Sequence, residues 1–269
     1  MLAAFSTRNG ITFPMLSDAG SATIRRYGLV NTVAEEAQRV GDLSTNPGLK
    51  ADFERLVTAT VPSTRYLGVS IPGTFMLDRQ GRVTARFVED YYRERRTTSN
   101  LMLTVGQGAQ VPGTKVSTAH LDLTSYASDE VVALGNRFSV VLDIAPKRGV
   151  HVYAPGASGY KVIALNLAPQ PFVRIQPRPY PSSETYFFKP LDERVPAYLK
   201  PFRLVMDIVP EATPAAQAAW KGKDTLTLTG TLDYQACDDT LCYNPTSVPV
   251  SYTIALKPYV PGEPQPPAR

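Results

Sequence analysis

The second half of the chain alternates apolar and polar residues in short segments, and this pattern most limits the fold that it can adopt. Six such segments follow one another with turn residues between them: 120–124, 138–144, 162–167, 202–209, 225–232 and 248–256. An alternation of period two places successive side chains on opposite faces of a strand. Short strands of this kind, with almost no helical spacing among them, predict an antiparallel β-sandwich.

The first half predicts a mixture of helices and strands. Leu49, Phe53, Leu56 and Val57 recur at helical spacing. Further on, residues 74–78 and 82–88 are two apolar segments joined by a short turn that contains Gly81, which predicts a β-hairpin. The fold class that we expect is therefore α/β in the first half and all-β in the second.

A stretch rich in Gly and Pro separates the two patterns. Residues 105–114 lack periodicity, and we interpret them as an interdomain linker. The predicted organisation is an α/β domain at 1–104, a sandwich at 115–258 and a disordered Pro-rich tail at 259–269.

Composition and charge exclude several classes of function. The chain has 43% hydrophobic and 19% charged residues, which is typical of a globular protein, and no apolar run approaches the roughly 20 residues of a membrane helix. The net charge is +4, but the densest basic cluster, Arg93, Arg95 and Arg96, is interrupted by Glu94 and indicates a solvated helix face rather than a nucleic-acid site. Serine-nucleophile, phosphate-loop and dinucleotide motifs do not occur, and the first residues do not form a signal peptide.

The only two cysteines, Cys237 and Cys242, lie five positions apart in a loop that follows a predicted strand. A loop of this length can bring their Cα atoms within the roughly 4.4–6.8 Å that a disulfide requires. Such a bond closes a ring of about six residues and stabilises the fold by roughly 2 kcal/mol, against about 4.7 kcal/mol for a hundred-residue loop. Because a structural disulfide would join distant strands, we interpret this one as a pair that opens and closes.

Other interpretations of the same residues stay open. The pair could be a structural hairpin disulfide, or it could bind zinc together with His120 and His151, although those histidines lack the spacing of ligands. Asp238 and Asp239 follow the first cysteine. Their charges would disfavour a thiolate and slow its reaction with free thiols, or they could simply be turn formers.

The first half carries three motifs in an order that resembles a known family. They are Ile11-Thr-Phe-Pro-Met-Leu-Ser-Asp, Ile24-Arg-Arg-Tyr-Gly and Ile71-Pro-Gly-Thr-Phe-Met-Leu-Asp-Arg-Gln-Gly-Arg-Val, and they resemble the thioredoxin-fold peroxiredoxins of the AhpC/TSA family. The resemblance implies a cis bond before Pro72. It also implies a peroxidatic cysteine upstream, but residues 1–236 contain no cysteine, so we expect an incomplete domain without peroxidase activity of its own. Residues 31–65 have the character of an insertion.

The stretch Leu232-Asp-Tyr-Gln-Ala-Cys-Asp-Asp-Thr-Leu-Cys-Tyr-Asn-Pro245 resembles the active loop of the amino-terminal periplasmic domain of the thiol:disulfide interchange protein DsbD. The resemblance covers about residues 116–257, and His151-Val-Tyr-Ala-Pro-Gly fits it in order. It implies an immunoglobulin-like sandwich in which Cys237 and Cys242 are the redox pair. It further implies an aromatic cap, for which Tyr186, Phe187 and Phe188 are the candidates, with Tyr234 and Asp238 in the surroundings of the loop.

The function expected from these observations is a thiol-disulfide oxidoreductase that exchanges electrons with a thioredoxin-like or other thiol-disulfide protein. It would work in the periplasm or elsewhere outside the cytoplasm, without a cofactor, a metal, nucleic acid or membrane insertion. Two alternatives stay open. One is an antioxidant peroxiredoxin whose peroxidatic cysteine lies upstream of this chain, and the other is a non-enzymatic immunoglobulin-like binding module. Which cysteine is the nucleophile and the oligomeric state are left undetermined.

Overall fold

The computed structural model describes residues 2–8, 10–57, 67–89, 94–106, 112–189 and 192–257. It divides into two compact units, Met1–Glu94 and Arg95–Arg269. Within the described residues no helix is both long and apolar enough to cross a membrane. The predicted disordered tail, 259–269, lies outside the described residues.

The first unit consists of short helices and one hairpin. In chain order its elements are α1 (Leu2–Arg8), a 3-10 turn (Ala19–Ser21), α2 (Ala22–Arg26), α3 (Thr32–Val40), a second 3-10 turn (Leu43–Thr45), α4 (Pro47–Val57), β1 (Gly73–Leu77) and β2 (Val83–Val88). Asn31 caps α3 by accepting a hydrogen bond from the backbone N–H of Ala34 at 3.3 Å. A small apolar cluster then holds α3 and α4 together; it consists of Ala37, Leu43, Leu49 and Phe53.

The hairpin in this unit is confirmed, with β1 and β2 paired antiparallel. Its turn is held by Asp78, whose carboxylate accepts hydrogen bonds from the backbone N–H groups of Gln80 and Arg82. The predicted cis bond before Pro72 is wrong, since the described residues contain no cis peptide bond. The described part of this unit has the single sheet β1–β2, and the thioredoxin-like assignment stays a prediction.

The second unit is built from strands in three sheets. Its elements are β3 (Arg95–Arg96), α5 (Thr98–Thr104), β4 (Thr114–Ser117), β5 (Leu121–Ala127), β6 (Val131–Ala133), β7 (Asn136–Pro146), β8 (His151–Tyr153), β9 (Ala164–Leu167), β10 (Val173–Pro177), β11 (Glu184–Phe188), β12 (Glu193–Tyr198), β13 (Phe202–Pro210), α6 (Pro214–Trp220), β14 (Thr225–Tyr234), β15 (Ala236–Cys237) and β16 (Thr246–Lys257). The sheets have the orders β10-β13-β7-β5-β4, β11-β12-β8-β15 and β6-β16-β14-β9, and β3 pairs in parallel with the start of β7. The predicted sandwich is thereby confirmed.

The core of this unit follows directly from the alternating pattern. In β16 every second residue is buried, from Val248 to Leu256, while the residues between them are exposed. The neighbouring strand β14 needs Gly230, because a Cβ at that position would overlap the carbonyl oxygen of Asn166 in β9. Burying one face of each strand supplies the main free energy that holds these sheets together.

The units divide ten residues before the predicted domain end at residue 104. Strand β3 and helix α5, which the sequence analysis assigned to the first domain, belong to the second unit. The reason is a buried polar network, in which the side-chain amide of Asn100 donates hydrogen bonds to Ser139 at 2.8 Å and to Asp207 at 2.9 Å. Arg96 and Arg178 pair with the same Asp207 carboxylate. Five residues of the predicted linker, 107–111, lie outside the described residues.

Candidate functional site

Cys237 and Cys242 form a disulfide at the end of the sheet β11-β12-β8-β15. Strand β14 leads through Gln235 into the two-residue strand β15, which ends at Cys237, and the two Cα atoms of the pair are 4.1 Å apart. The intervening loop is closed by a hydrogen bond from the N–H of Asp238 to the carbonyl of Leu241 at 2.9 Å. The disulfide implied by the spacing of the two cysteines is therefore present.

The two sulfur-bearing residues differ in their access to solvent. Cys237 is fully buried, whereas Cys242 is half-buried and is preceded by the exposed residues 239–241. Cys242 is therefore the more accessible residue of the pair. The sequence alone left the choice between the two cysteines open.

The strand register decides which side chains surround the disulfide. Cys237 in β15 pairs with His151 in β8. Two residues further along β8, Tyr153 pairs with Ala197 in β12, and two residues before Ala197, Val195 pairs with Tyr186 in β11. Because residues opposite each other, and every second residue along a strand, share a face, these six side chains lie on one face of the sheet. The residues that alternate with them along the strands point to the opposite face and join the core of the sandwich; they include Val152, Ala236 and Tyr198.

The hydroxyl of Tyr153 contacts both sulfur atoms. It lies 2.9 Å from Sγ of Cys237 and 3.3 Å from Sγ of Cys242, and since disulfide sulfurs carry no hydrogen, the hydroxyl is the donor. The ring is fully buried and stacks on Tyr160 at 3.9 Å between centroids. Burial, assisted by the charge of Glu193, raises the pKa of Tyr153 to about 12. This hydroxyl therefore keeps its proton at neutral pH and serves as a fixed hydrogen-bond donor to the sulfurs.

Tyr186 and His151 form an aromatic pair beside the disulfide. Their ring centroids are 3.9 Å apart, and His151 also meets the ring of Tyr153 edge-on at 5.4 Å. The hydroxyl of Tyr186 donates a hydrogen bond of 2.5 Å to Asp239 in the cysteine loop. Burial lowers the pKa of His151, against the opposing charges of Asp239 and Asp238, and its buried Nε2 atom has no hydrogen-bond partner among the described residues.

Asp238 holds the shape of the cysteine loop. Its carboxylate accepts hydrogen bonds from the N–H groups of Thr240 and Leu241, both at 2.8 Å, and from the hydroxyl of Tyr243 at 2.7 Å. The hydrogen bond from Tyr243, followed by those from the two backbone N–H groups, holds the pKa of Asp238 well below its usual range. This geometry is that of a turn former, one of the two roles that the sequence left open for this residue.

Gln235, in the Tyr-Gln pair before the first cysteine, anchors the base of the loop. Its side-chain oxygen accepts a hydrogen bond from the N–H of Lys161 at 3.0 Å, and its amide donates to the carbonyl of Tyr243, also at 3.0 Å. The ring of Tyr243 in turn packs against His120 at 4.3 Å. No group of His, Cys, Asp and Glu side chains that could hold a metal ion occurs in the described part of the chain.

The candidate cap residues and Tyr234 occupy different places. Of the aromatic run, Tyr186 packs in the cluster that contains both cysteines. Phe187 points to the other side of β11, where it is exposed beneath the guanidinium of Arg194, and Phe188 is buried outside the cysteine cluster. Tyr234 lies in the core of the sandwich, with its hydroxyl 3.0 Å from Thr118 rather than near the sulfurs.

Sequence reasoning missed the role of Tyr153 and its neighbour Tyr160. The stretch from His151 to Gly156 was noted only as part of the resemblance. A tyrosine 84 positions away from Cys237 carries no local signal that links it to the disulfide. The pairing of β8 with β15 makes the connection.

Comparison with known proteins gives one family match. Residues 124–253 match the family described as thiol:disulfide interchange protein DsbD, N-terminal. None of the curated proteins matches the chain. The match supports the resemblance stated for the second half, whereas the AhpC/TSA resemblance of the first half has no support among the comparisons.

Three solved structures align with about half of the chain. The N-terminal periplasmic domain of ScsB from Proteus mirabilis has 12% identity over 54% of this chain, with a TM-score of 0.35, and the chain spans only 50% of that structure. The GAE domain of GGA2p from Saccharomyces cerevisiae has 11% identity over 54% of this chain and 97% of its own, with a TM-score of 0.30. The GAE domain of yeast GGA1 has 10% identity over 51% of this chain and 96% of its own, with a TM-score of 0.28. By the family match, residues 124–253 are similar to the DsbD amino-terminal domain, and they contain the Cys237–Cys242 disulfide.

Proposed function

We propose that the protein is a thiol-disulfide oxidoreductase that passes electrons to or from a partner protein through Cys237 and Cys242. One observation carries the proposal. The disulfide joins the half-buried Cys242 to the fully buried Cys237, and the hydroxyl of Tyr153 donates a hydrogen bond to both sulfurs, with the shorter distance to Cys237. A disulfide of purely structural use needs neither the access nor the donor.

The geometry supports a definite order of bond changes. A partner thiolate attacks Sγ of Cys242; a new disulfide forms between the two proteins, and Cys237 leaves as a thiolate that accepts the hydrogen bond of Tyr153. A second thiolate of the partner then attacks the partner's own sulfur in this mixed disulfide and releases Cys242. The partner leaves oxidised, and its two electrons reside in the reduced cysteine pair.

Delivery of the electrons reverses these steps. The thiolate of Cys242 attacks the disulfide of an acceptor protein, and the thiolate of Cys237 then attacks Cys242 Sγ to re-form the internal disulfide. The five-residue separation keeps the resolving sulfur next to the mixed disulfide, with Cα atoms 4.1 Å apart in the oxidised state. Opening the disulfide costs the fold little stability, because closing a ring of about six residues stabilises it by only about 2 kcal/mol.

The family match supports our proposal for the compartment and the partner class. Domains of the matched family are periplasmic, and we place this protein outside the cytoplasm, where a disulfide persists between reaction cycles. The partner is a thioredoxin-like or other thiol-disulfide protein. Peroxidase activity is not part of the proposal, because the chain has no cysteine besides this pair.

Two measurements test the proposal. A reduction potential of the Cys237–Cys242 pair well above about −300 mV is expected, whereas a value below it is typical of structural disulfides and would contradict the proposal. In addition, the variants Cys237→Ser and Cys242→Ser each keep one thiol. We expect the first variant to react with the neutral probe 4,4′-dithiodipyridine at least about tenfold faster than the second, because its remaining sulfur, Cys242, is half-exposed. Equal rates would contradict the assigned order of attack.

A further inference from the structure

The two adjacent aspartates of the cysteine loop have different surroundings. The carboxylate of Asp238 is engaged inside the loop by Thr240, Leu241 and Tyr243. Asp239 is exposed, and its side chain accepts one hydrogen bond, from the hydroxyl of Tyr186 on β11. The carboxylate of Asp239 can therefore exchange its hydrogen bond from Tyr186 for another partner, while that of Asp238 is needed to keep the loop folded.

The hydrogen bond to Asp239 connects the loop to an aromatic ring that packs in the same cluster as the disulfide. The ring of Tyr186 packs in the cluster containing Cys237 and Cys242 and lies 3.9 Å from the ring of His151. It is joined across 53 positions of sequence to Asp239. A group that takes the Asp239 carboxylate away from Tyr186 therefore also removes one restraint on that ring.

The local charge determines which group can compete for this carboxylate. Asp238 and Asp239 are adjacent. A third carboxylate, that of Glu193, accepts a hydrogen bond from the hydroxyl of Tyr160, and its charge helps to raise the pKa of Tyr153. Throughout the described ranges, no Lys or Arg side chain forms an ion pair with Asp239. A cation that approaches Cys242 thus meets an unneutralised carboxylate, and an anion is repelled by it.

We propose that Asp239 is a recognition residue for a protein partner that carries a Lys or Arg beside its reactive cysteine, and that the partner's cation replaces the Tyr186 hydroxyl on Asp239. Docking and uncovering of the disulfide are then one event, because the same contact that binds the partner releases the ring. The inference rests on the proposed function, since it concerns the approach of a thiol to Cys242.

Three small thiols that differ in charge test this recognition on the full chain. They are cysteamine, which is cationic, 2-mercaptoethanol, which is neutral, and mercaptoacetate, which is anionic. The rate of disulfide reduction is measured for each at low salt and expressed per thiolate. We expect the oxidised protein to prefer cysteamine over mercaptoacetate, and the variant Asp239→Asn to reduce this preference about threefold. The preference should also fall in 1 M salt, where charges are screened over about 3 Å.

Two further variants separate recognition from general effects. Asp224→Asn makes the same change in net charge at an exposed position outside the cysteine cluster, and it should leave the preference as in the unchanged protein. Tyr186→Phe removes the competing hydroxyl, so all three thiols should react faster while the preference for cysteamine remains. Circular dichroism checks that each variant is folded.

The outcomes distinguish the inference from the function on which it rests. If none of the thiols reduces the disulfide, the proposed function fails. If all of them reduce it but Asp239→Asn and Asp224→Asn have the same charge preference, the inference about Asp239 is overturned and the proposed function stands. An unchanged rate in Tyr186→Phe would overturn the coupling between Asp239 and the ring of Tyr186.

Discussion

Replacing Tyr153 by Phe removes one hydroxyl and leaves the aromatic packing in place. The hydroxyl is 2.9 Å from the buried Sγ of Cys237, and the ring stacks on Tyr160 without using that oxygen. Hydrogen bonds to charged groups contribute about 1.5–3 kcal/mol. In the reduced protein, loss of this bond should therefore destabilise the thiolate of Cys237 by about 1.5–3 kcal/mol.

The same hydrogen bond should affect the rate of reduction. When a thiolate attacks Cys242, the leaving sulfur of Cys237 carries only part of its final charge in the transition state. If about half of the hydrogen-bond energy is expressed there, Tyr153→Phe loses about 0.8–1.5 kcal/mol, which corresponds to a rate that is roughly 4- to 13-fold lower. Reduction by dithiothreitol, stopped with an alkylating reagent and followed by mass spectrometry, measures this change directly.

Tyr234→Phe is the matched control. Tyr234 is also a fully buried tyrosine with a bonded hydroxyl, but its partner is Thr118 in the core of the sandwich. We expect this variant to lose stability without a change in the rate of reduction. If Tyr153→Phe were reduced as fast as the unchanged protein, the assignment of Tyr153 as the donor to the leaving sulfur would be refuted.

Two further predictions concern His151 and Asn100. Burial lowers the pKa of His151 in the folded state below its ordinary value of about 6.5. As the pH falls through that value, the unfolded state binds more protons than the folded state, and stability falls. His151→Phe should therefore lose less stability than the unchanged protein between pH 7.5 and 5.5 in urea denaturation. Asn100→Ala removes three side-chain hydrogen bonds from a buried network, those with Ser139, Asp207 and Arg96, and we expect it to destabilise the sandwich by about 2–3 kcal/mol.

Each of these two predictions has an outcome that would contradict it. A parallel loss of stability in His151→Phe and the unchanged protein would mean that His151 does not contribute to the pH dependence. For Asn100→Ala, the unfolding of the sandwich is followed by near-ultraviolet circular dichroism. An unaltered midpoint would mean that α5 does not support the sandwich, in agreement with the domain end that the sequence alone suggested at residue 104.

The sequence predicted the sandwich well where strands are long and alternate. Strands β14 and β16 coincide closely with predicted segments, because ten and twelve residues suffice to display a period of two. Strands β11 and β12 were not predicted. Burial alternates only weakly along these two strands, and β11 is mostly exposed. Strand β8 was not predicted either, because its three residues are too few to display a period of two.

The domain boundary depended on interactions that no local pattern reveals. Helix α5 follows the first half in sequence and precedes the stretch rich in Gly and Pro, so the sequence assigned it to the first domain. Its Asn100 side chain, however, is bonded to residues 39 and 107 positions later. Only the assembled strands β7 and β13 bring those partners together.

The sequence by itself determined that one pair of cysteines, five positions apart in a loop between two alternating strands, supplies all of the thiol chemistry of this chain. The tertiary structure decided how that pair can react. It buries Cys237 and leaves Cys242 more accessible. It also brings Tyr153 to Cys237 across 84 positions of sequence, and Tyr186 to Asp239 across 53 positions. The physical reason is that these contacts arise from pairing between distant strands, and that register is encoded in the packing of the whole sheet rather than in the residues around the cysteines.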